Sequence, residues 1–170
     1  LSLHKMAALK SGKNVTAENI HELSSNYQYP CYGGNGIRGY VDTYSYDGTY
    51  PLIGRQGALC GNVQLAMGKF YPTEHAVVVS SKMDCAVLWL FYCLVFLNLN
   101  RLQTGAAQPG LNIGILNQVD IPVPPFSLQN QFAAFVKQVE TQKSLLQQSL
   151  AKLELNYKSL MQKCFRGEIY

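Results

Sequence analysis

The sequence predicts an α+β head of mixed strands and short helices, followed by one long C-terminal helix of coiled-coil type. Three observations predict it. Up to Pro122, short apolar and tyrosine-rich runs are broken repeatedly by glycines. From Ser127 to Phe165 there is neither glycine nor proline. Within that stretch the leucines recur every three or four residues, the period of one face of a helix. The 170 residues suffice for one domain with its own core and are too few for two of typical size. With 48% apolar and 14% charged residues the chain reads as folded rather than disordered. A net charge of +4 permits a polyanionic partner without requiring one.

Taken in order, the first strand signal is Tyr40, Asp42, Tyr44 and Tyr46 alternating with Val41, Thr43 and Ser45. Asp47-Gly48 is a strong hairpin-turn dipeptide and is expected to return the chain into a second strand, Thr49 to Ile53. Ala76 to Ser80 is expected as a buried strand. Cys85 to Leu97 is expected as a buried core helix capped near Asp84. That run falls short of the roughly 20 residues a membrane-spanning helix needs. Pro122-Val123-Pro124-Pro125 ends the head, which places a globular domain at 1–122 and a helical arm at 123–170. No internal repeat is visible.

The arm carries two stepped sets of apolar residues. Leu128, Phe132, Phe135 and Val139 form the first; Leu146, Leu150, Leu153, Tyr157, Leu160 and Cys164 form the second. Gln142 interrupts them at a seam position. Ser127 is expected as N-cap, and Gly167 falls just past the end. The seam is narrow and the helix long, so a second helix is expected to cover it, making the second set a dimer interface. The competing arrangement is a helix folded back on its own head.

Candidate chemistry is mostly excluded. Gly34-Asn35-Gly36-Ile37-Arg38-Gly39 satisfies G-x-G-x-x-G, yet Pro30 precedes it and a tyrosine-rich strand follows, where a dinucleotide site needs a strand before and a helix after. Gly12-Lys13-Asn14 lacks both the first glycine and the hydroxyl of a phosphate-binding loop, and after His21-Glu22 the zincin pattern meets Ser25 in place of its second histidine. Val123-Pro124-Pro125-Phe126 approaches the Asn-Pro-Pro-Tyr/Phe loop of DNA amino-methyltransferases, but valine cannot accept a hydrogen bond from a target amine. No carboxylate cluster of nuclease type is present. The expectation is a non-catalytic protein with no cofactor and no metal. Cys31, Cys60, Cys85, Cys93 and Cys164 are odd in number and contain no C-x-x-C pair, so they read as reduced thiols in the cytoplasm. No signal-peptide pattern is visible, and the chain opens on Leu1 rather than Met, so a missing true start is expected.

Several segments taken together resemble one family. Tyr29-Pro30-Cys31-Tyr32-Gly33-Gly34-Asn35-Gly36-Ile37-Arg38-Gly39-Tyr40 resembles the glycine-rich loop of type I restriction-modification specificity subunits. Leu52-Ile53-Gly54-Arg55-Gln56-Gly57-Ala58 is similar to the strand and turn that follow it. Thr104-Gly105-Ala106-Ala107-Gln108-Pro109-Gly110-Leu111 looks like the family's second loop. Ile121-Pro122-Val123-Pro124-Pro125 with Gln129-Asn130-Gln131 looks like its junction into the connecting helix, and Lys163-Cys164-Phe165-Arg166-Gly167-Glu168 and Ser11-Gly12-Lys13-Asn14 fit its end and its opening.

The resemblance implies a target recognition domain that reads one half of a split DNA site, with long helices that dock methyltransferase (modification) subunits, alone or with a restriction subunit. Full-length members hold two such domains, and here one is seen. The residues themselves agree. Reading bases needs Asn, Gln and Arg at base edges and cations at phosphates. The candidates are Lys13, Tyr32, Asn35, Arg38, Tyr40, Tyr44 and Arg55 around the first loop, and Arg101, Gln103, Thr104, Gln108 and Asn112 around the second. Each has a plain structural alternative: Asn35 as a left-handed turn residue, Tyr44 as strand packing, Arg55 as an ion-pair partner. The expected partners are double-stranded DNA, modification subunits and a second copy of the chain, and no membrane. A dimeric coiled-coil module whose head binds protein, or an RNA-binding module using tyrosines for stacking, are the competing functions.

Overall fold

The computed structural model describes residues 1–57, 59–105 and 109–168. They divide into two compact units, Leu1–Asn130 and Gln131–Tyr170.

In the first unit, among the described residues, six strands form one mixed sheet: β1 (Ala7–Ser11), β2 (Tyr29–Gly33), β3 (Gly36–Val41), β4 (Tyr46–Gly54), β5 (Val63–Pro72) and β6 (Ala76–Ser81), in the order β1-β6-β4-β5-β2-β3. Neighbours are antiparallel except β2 and β5, which run parallel. Apolar residues explain which strands lie inside. β6 buries Ala76, Val77, Val78 and Val79 in succession, the mark of a strand covered on both faces. Leu52, Ala66, Phe70 and Val78 form a cluster against which Tyr32, Tyr46 and Tyr50 pack. Tyr46 stacks on Phe70 at 5.5 Å between ring centres, and Tyr32 meets it edge-on at 5.6 Å.

The Ala76 to Ser80 expectation is met, whereas the Asp47-Gly48 turn is corrected. Both residues lie inside β4, paired with Lys69 and Gly68. Turn propensity is local, and here the packing of Tyr46 and Tyr50 on Phe70 overrides it. The tight reversal lies instead at Gly34-Asn35, between β2 and β3.

Helix α2 (Val87–Phe96) packs against β4 and β5 and buries Trp89, Leu90 and Leu94. It is only half a core helix, because Phe96 is 81% exposed. Asp84 is not its cap. Ala86 takes that position without a side-chain cap, and its own N–H donates to Oε1 of Gln129 at 3.0 Å. The Gln129 amide also donates to the Pro124 carbonyl at 2.9 Å, so this glutamine is held nearly inaccessible by two backbone partners. The short helices α1 (Leu3–Met6) and α3 (Ile113–Asn117) complete the unit, and the chain start is pinned by bonds between Leu1 and Ile121.

Helix α4 runs from Phe126 to Phe165, 40 residues. Pro125, not Ser127, accepts its first bonds, from the N–H groups of Leu128 and Gln129. At the far end Gly167 turns left-handed (φ 70°), and the N–H groups of Gly167 and Glu168 donate to the carbonyls of Cys164 and Lys163. That is a glycine-closed helix end. Every residue from 137 to 168 is exposed.

Candidate nucleic-acid interface

Three segments distant in sequence converge beyond the end of β4. They are the β2–β3 tip and the described residues of two further stretches, the β4–β5 connection from Arg55 to Asn62 and the segment from Leu99 to Asn112. Backbone bonds tie the last two together: Gly57 N–H to the Pro109 carbonyl at 3.0 Å and Leu111 N–H to the Arg55 carbonyl at 2.8 Å. Thr104 and Gly110 exchange a reciprocal pair at 2.9 Å, which closes the second loop on itself. Two glycines allow the approach. A Cβ on Gly54 would collide with the Gly34 carbonyl, and one on Gly61 with the backbone of Asn100.

A chain of amides links all three segments. Asn62 donates to Asn35 at 2.9 Å, and Asn100 donates to Asn62 at 3.4 Å. Beside it lies an open cavity of about 430 Å³, lined by Gly34, Asn35, Arg38, Gln56 and His75 among others. His75 is held through Nε2 against the Glu74 carboxylate at 3.0 Å, while Nδ1 has no partner among the described residues. The charge of Arg38 reaches Cys31, where it opposes the burial that pushes that thiol's pKa up. Amide and guanidinium groups in one open cavity can both donate to and accept from base edges, whereas the His75 ring is turned inward, with its Nδ1 buried.

The sequence-derived candidates separate into groups. Asn35 and Arg38 are exposed and line the cavity. Asn35 is not the left-handed residue of its turn; Gly36 is, at φ 107°. Gln103 and Thr104 are exposed on the converging loop, with Gln103 accepting from the Cys60 thiol at 3.4 Å. Arg101 is exposed and lines a separate hollow with Asp120. Lys13 is exposed after β1. Gln108 lies outside the described residues. Others are held structurally. Tyr32 packs on Phe70, and burial pushes its phenol pKa up. Arg55 is half-buried and donates to the Ser11 hydroxyl at 3.1 Å, so its partner is a hydroxyl rather than an acid. Asn112 caps α3 by accepting from Gly114 at 2.7 Å. Tyr40 is held by a reciprocal backbone pair with His21. Tyr44 lies past the far end of β3 from the tip, against Tyr29 at 5.0 Å and under the Lys69 ammonium at 4.7 Å.

Gln56, Asn62, His75 and Asn100 belong to the converged site and were not among the sequence candidates. No local pattern marks them, because only the sheet brings them together. Among the described residues there is no cluster of three or more side chains that could hold a metal, and no helix is long and apolar enough to cross a membrane.

The sequence pattern that defines the type I restriction modification DNA specificity domain matches residues 2–155. The chain is 46% identical over 141 residues to the type I restriction enzyme EcoprrI specificity subunit of Escherichia coli, covering 82% of this chain and 35% of that protein. It is 29% identical over 132 residues to a putative type I restriction enzyme specificity subunit of Haemophilus influenzae, covering 76% and 34%. The chain thus spans about a third of the length of these curated relatives. Among solved structures, a type I restriction-modification S subunit from M. genitalium superposes with a TM-score of 0.70 at 19% identity, over 85% of this chain and 40% of that one. The HsdS subunit from Thermoanaerobacter tengcongensis does so at 0.62 and 16% identity, over 99% and 45%. At these identities the structural matches speak for the fold, including the long terminal helix.

Proposed function

The chain belongs to the type I restriction modification DNA specificity domain family, and from that premise we propose that it reads one half of a bipartite DNA target. The observation that carries the reading is the meeting of the β2–β3 tip and the β4–β5 connection at one cavity, with the segment that bears the second loop tied beside it by the Asn35–Asn62–Asn100 amide chain. Loops held by backbone bonds on a rigid sheet present their side chains in fixed directions, as base reading requires. Asn35 and Gln56 suit an adenine edge and Arg38 suits guanine, while Lys13 and Arg101 suit phosphates.

The module itself performs no chemistry in this proposal. It acts in the cytoplasm, positions modification subunits that carry the methyltransferase, and works as a homodimer through α4. The uncovered seam supports the last point: Leu146, Leu150, Leu153, Tyr157 and Leu160 are each more than half exposed. A continuous apolar strip of that length is the signature of an unmet partner. Two-fold pairing makes the target an inverted repeat.

Fluorescence anisotropy tests the reading. Duplexes enriched from a random pool by the purified chain should bind at least about tenfold tighter than the starting pool at the same salt. Equal binding of both would refute sequence reading.

A further inference from the structure

Three side-chain amides run through the converged site in one direction. Asn100 Nδ2 donates to Asn62 Oδ1 at 3.4 Å, and Asn62 Nδ2 donates to Asn35 Oδ1 at 2.9 Å. Each step joins the nitrogen of one amide to the oxygen of the next. Asn35 is exposed, whereas Asn62 and Asn100 are half-buried, so Asn35 is the open end of the series. Its oxygen is turned toward Asn62, which leaves its NH2 group, with two donors, for a ligand. Main-chain bonds hold the inner two residues. The Asn62 N–H donates to the Leu59 carbonyl at 3.2 Å, and the Asn62 carbonyl accepts from the Gly54 N–H at 2.8 Å. The Asn100 carbonyl accepts from the Gln103 N–H at 3.2 Å. Gly61 keeps the two backbones adjacent, since a Cβ there would collide with Asn100.

We propose that Asn62 and Asn100 are positioning residues that set the hydrogen-bonding polarity of Asn35, and through it the base accepted at one position of the DNA target. This rests on the base-reading function proposed above and deepens it. An unrestrained asparagine reads an edge in either sense, because turning its terminal torsion by 180° exchanges oxygen and nitrogen at little cost. The relay removes that freedom. With its NH2 group outward, Asn35 fits a base that offers an acceptor. In the major groove guanine offers only acceptors, N7 and O6, cytosine only the N4 donor, and adenine one of each. Adenine therefore tolerates either polarity of the amide, while guanine and cytosine distinguish them. Arg38 lines the same cavity and can only donate, so it too matches the acceptors of a purine edge.

A relay of this kind can be inverted from a distance. Asn100→Asp replaces a donor by a carboxylate, which only accepts. Asn62 must then turn its nitrogen toward position 100 and its oxygen toward Asn35, and Asn35 turns its own nitrogen inward in reply. The atom left outward is the Asn35 oxygen, an acceptor, which fits cytosine N4 and rejects guanine. Asn62→Asp does the same in a single step. A residue that merely supports the fold would change stability, or binding to every duplex alike, and would not exchange one base for another.

Competition anisotropy on the full-length chain tests the relay, using its enriched duplex with all four bases placed in turn at each position. Asn35→Ala locates the position, as the one where discrimination collapses. There wild type should prefer guanine to cytosine by about tenfold, and Asn62→Asp and Asn100→Asp should each reverse that ranking while leaving other positions unchanged. The added carboxylate weakens binding to all duplexes alike, so the ratio between the two bases is the readout. Asn62→Ala and Asn100→Ala break the relay without adding charge, and should bring guanine and cytosine within about twofold of each other. Melting curves identify any variant that unfolds, and the remaining variants then decide. Asn35→Ala without effect at any position, a wild-type preference for cytosine, or rankings unchanged in the folded variants would each overturn the relay while leaving base reading intact. A cytosine preference that survives in the double variant with Asn35→Ala would overturn it as well, since the new carboxylate would then be reading the base itself. A wild-type chain that enriches no sequence would instead refute base reading, and the relay with it.

Discussion

Replacing Gln129 by alanine should be among the most costly single changes in the first unit. The side chain is 2% exposed and bridges the Ala86 N–H at 3.0 Å and the Pro124 carbonyl at 2.9 Å. Alanine removes both partners at once and leaves an inward-facing donor and acceptor unsatisfied. Each such group costs about 1–3 kcal/mol. The two together should lower stability by roughly 2–5 kcal/mol, allowing for partial rescue by water. At about 2–4 °C per kcal/mol for a chain of this size, the melting temperature should fall by roughly 5–15 °C. Thermal unfolding followed by circular dichroism or calorimetry reads this directly. Gln129→Glu keeps an acceptor for Ala86 but sets a carboxylate against the Pro124 carbonyl, so it should be no better. The neighbouring Asn130 is exposed, and Asn130→Ala should shift the melt by no more than about 1–2 °C. If Gln129→Ala melts like wild type, or if Asn130→Ala costs as much, the bridging role is wrong.

Arg38→Ala should weaken preference for the cognate site by ~1–3 kcal/mol with an unchanged melting temperature, whereas Tyr32→Ala should fail by unfolding, since it packs on Phe70; competition binding and thermal melts separate the two. Binding by the isolated chain should fall with salt at a log–log slope of about −2 per copy if Lys13 and Arg101 are its phosphate contacts, and a slope near zero would remove them. Burial pushes the thiols of Cys85 and Cys93 up to about 11, and the reactive form is the thiolate, so both should label slowly at pH 8 and faster as pH rises toward 11. Exposed Cys164 should label first, and mass spectrometry of iodoacetamide-treated protein would contradict this if the half-buried pair led. Leu153→Asp should give a monomer with its sheet intact, because the seam would otherwise bury an unpaired charge.

What the sequence made legible follows from where the determinants lie. The α4 helix was readable because its signals are local: no glycine or proline across its body, and a glycine waiting at the left-handed end. β6 was readable because four consecutive apolar residues need burial on both faces. Asp47-Gly48 misled because the dipeptide reports only what its own backbone favours, while β4 is held by Phe70, twenty or more residues away in sequence. The ends of the helices were misplaced for a similar reason, since α2 is steadied by Gln129 from a distant segment and not by Asp84. The candidate site was half visible. Glycine-flanked Asn35 and Arg38 stand out in sequence, but Tyr32, Arg55 and Asn112 look equally polar and turn out to serve packing, a hydroxyl bond and a cap. Asn62, Asn100, Gln56 and His75 carry no local signal, because the sheet order alone makes them neighbours.

The central claim is that this chain dictates which DNA sequence is modified. Single-molecule methylation sequencing of the source strain, with and without the gene encoding the chain, tests it most directly. Deletion should abolish methylation at one recurring motif, two inverted half-sites around a fixed spacer, and restoring the gene with Arg38→Ala should recover it only in part. A methylation pattern that is unchanged by the deletion would contradict it.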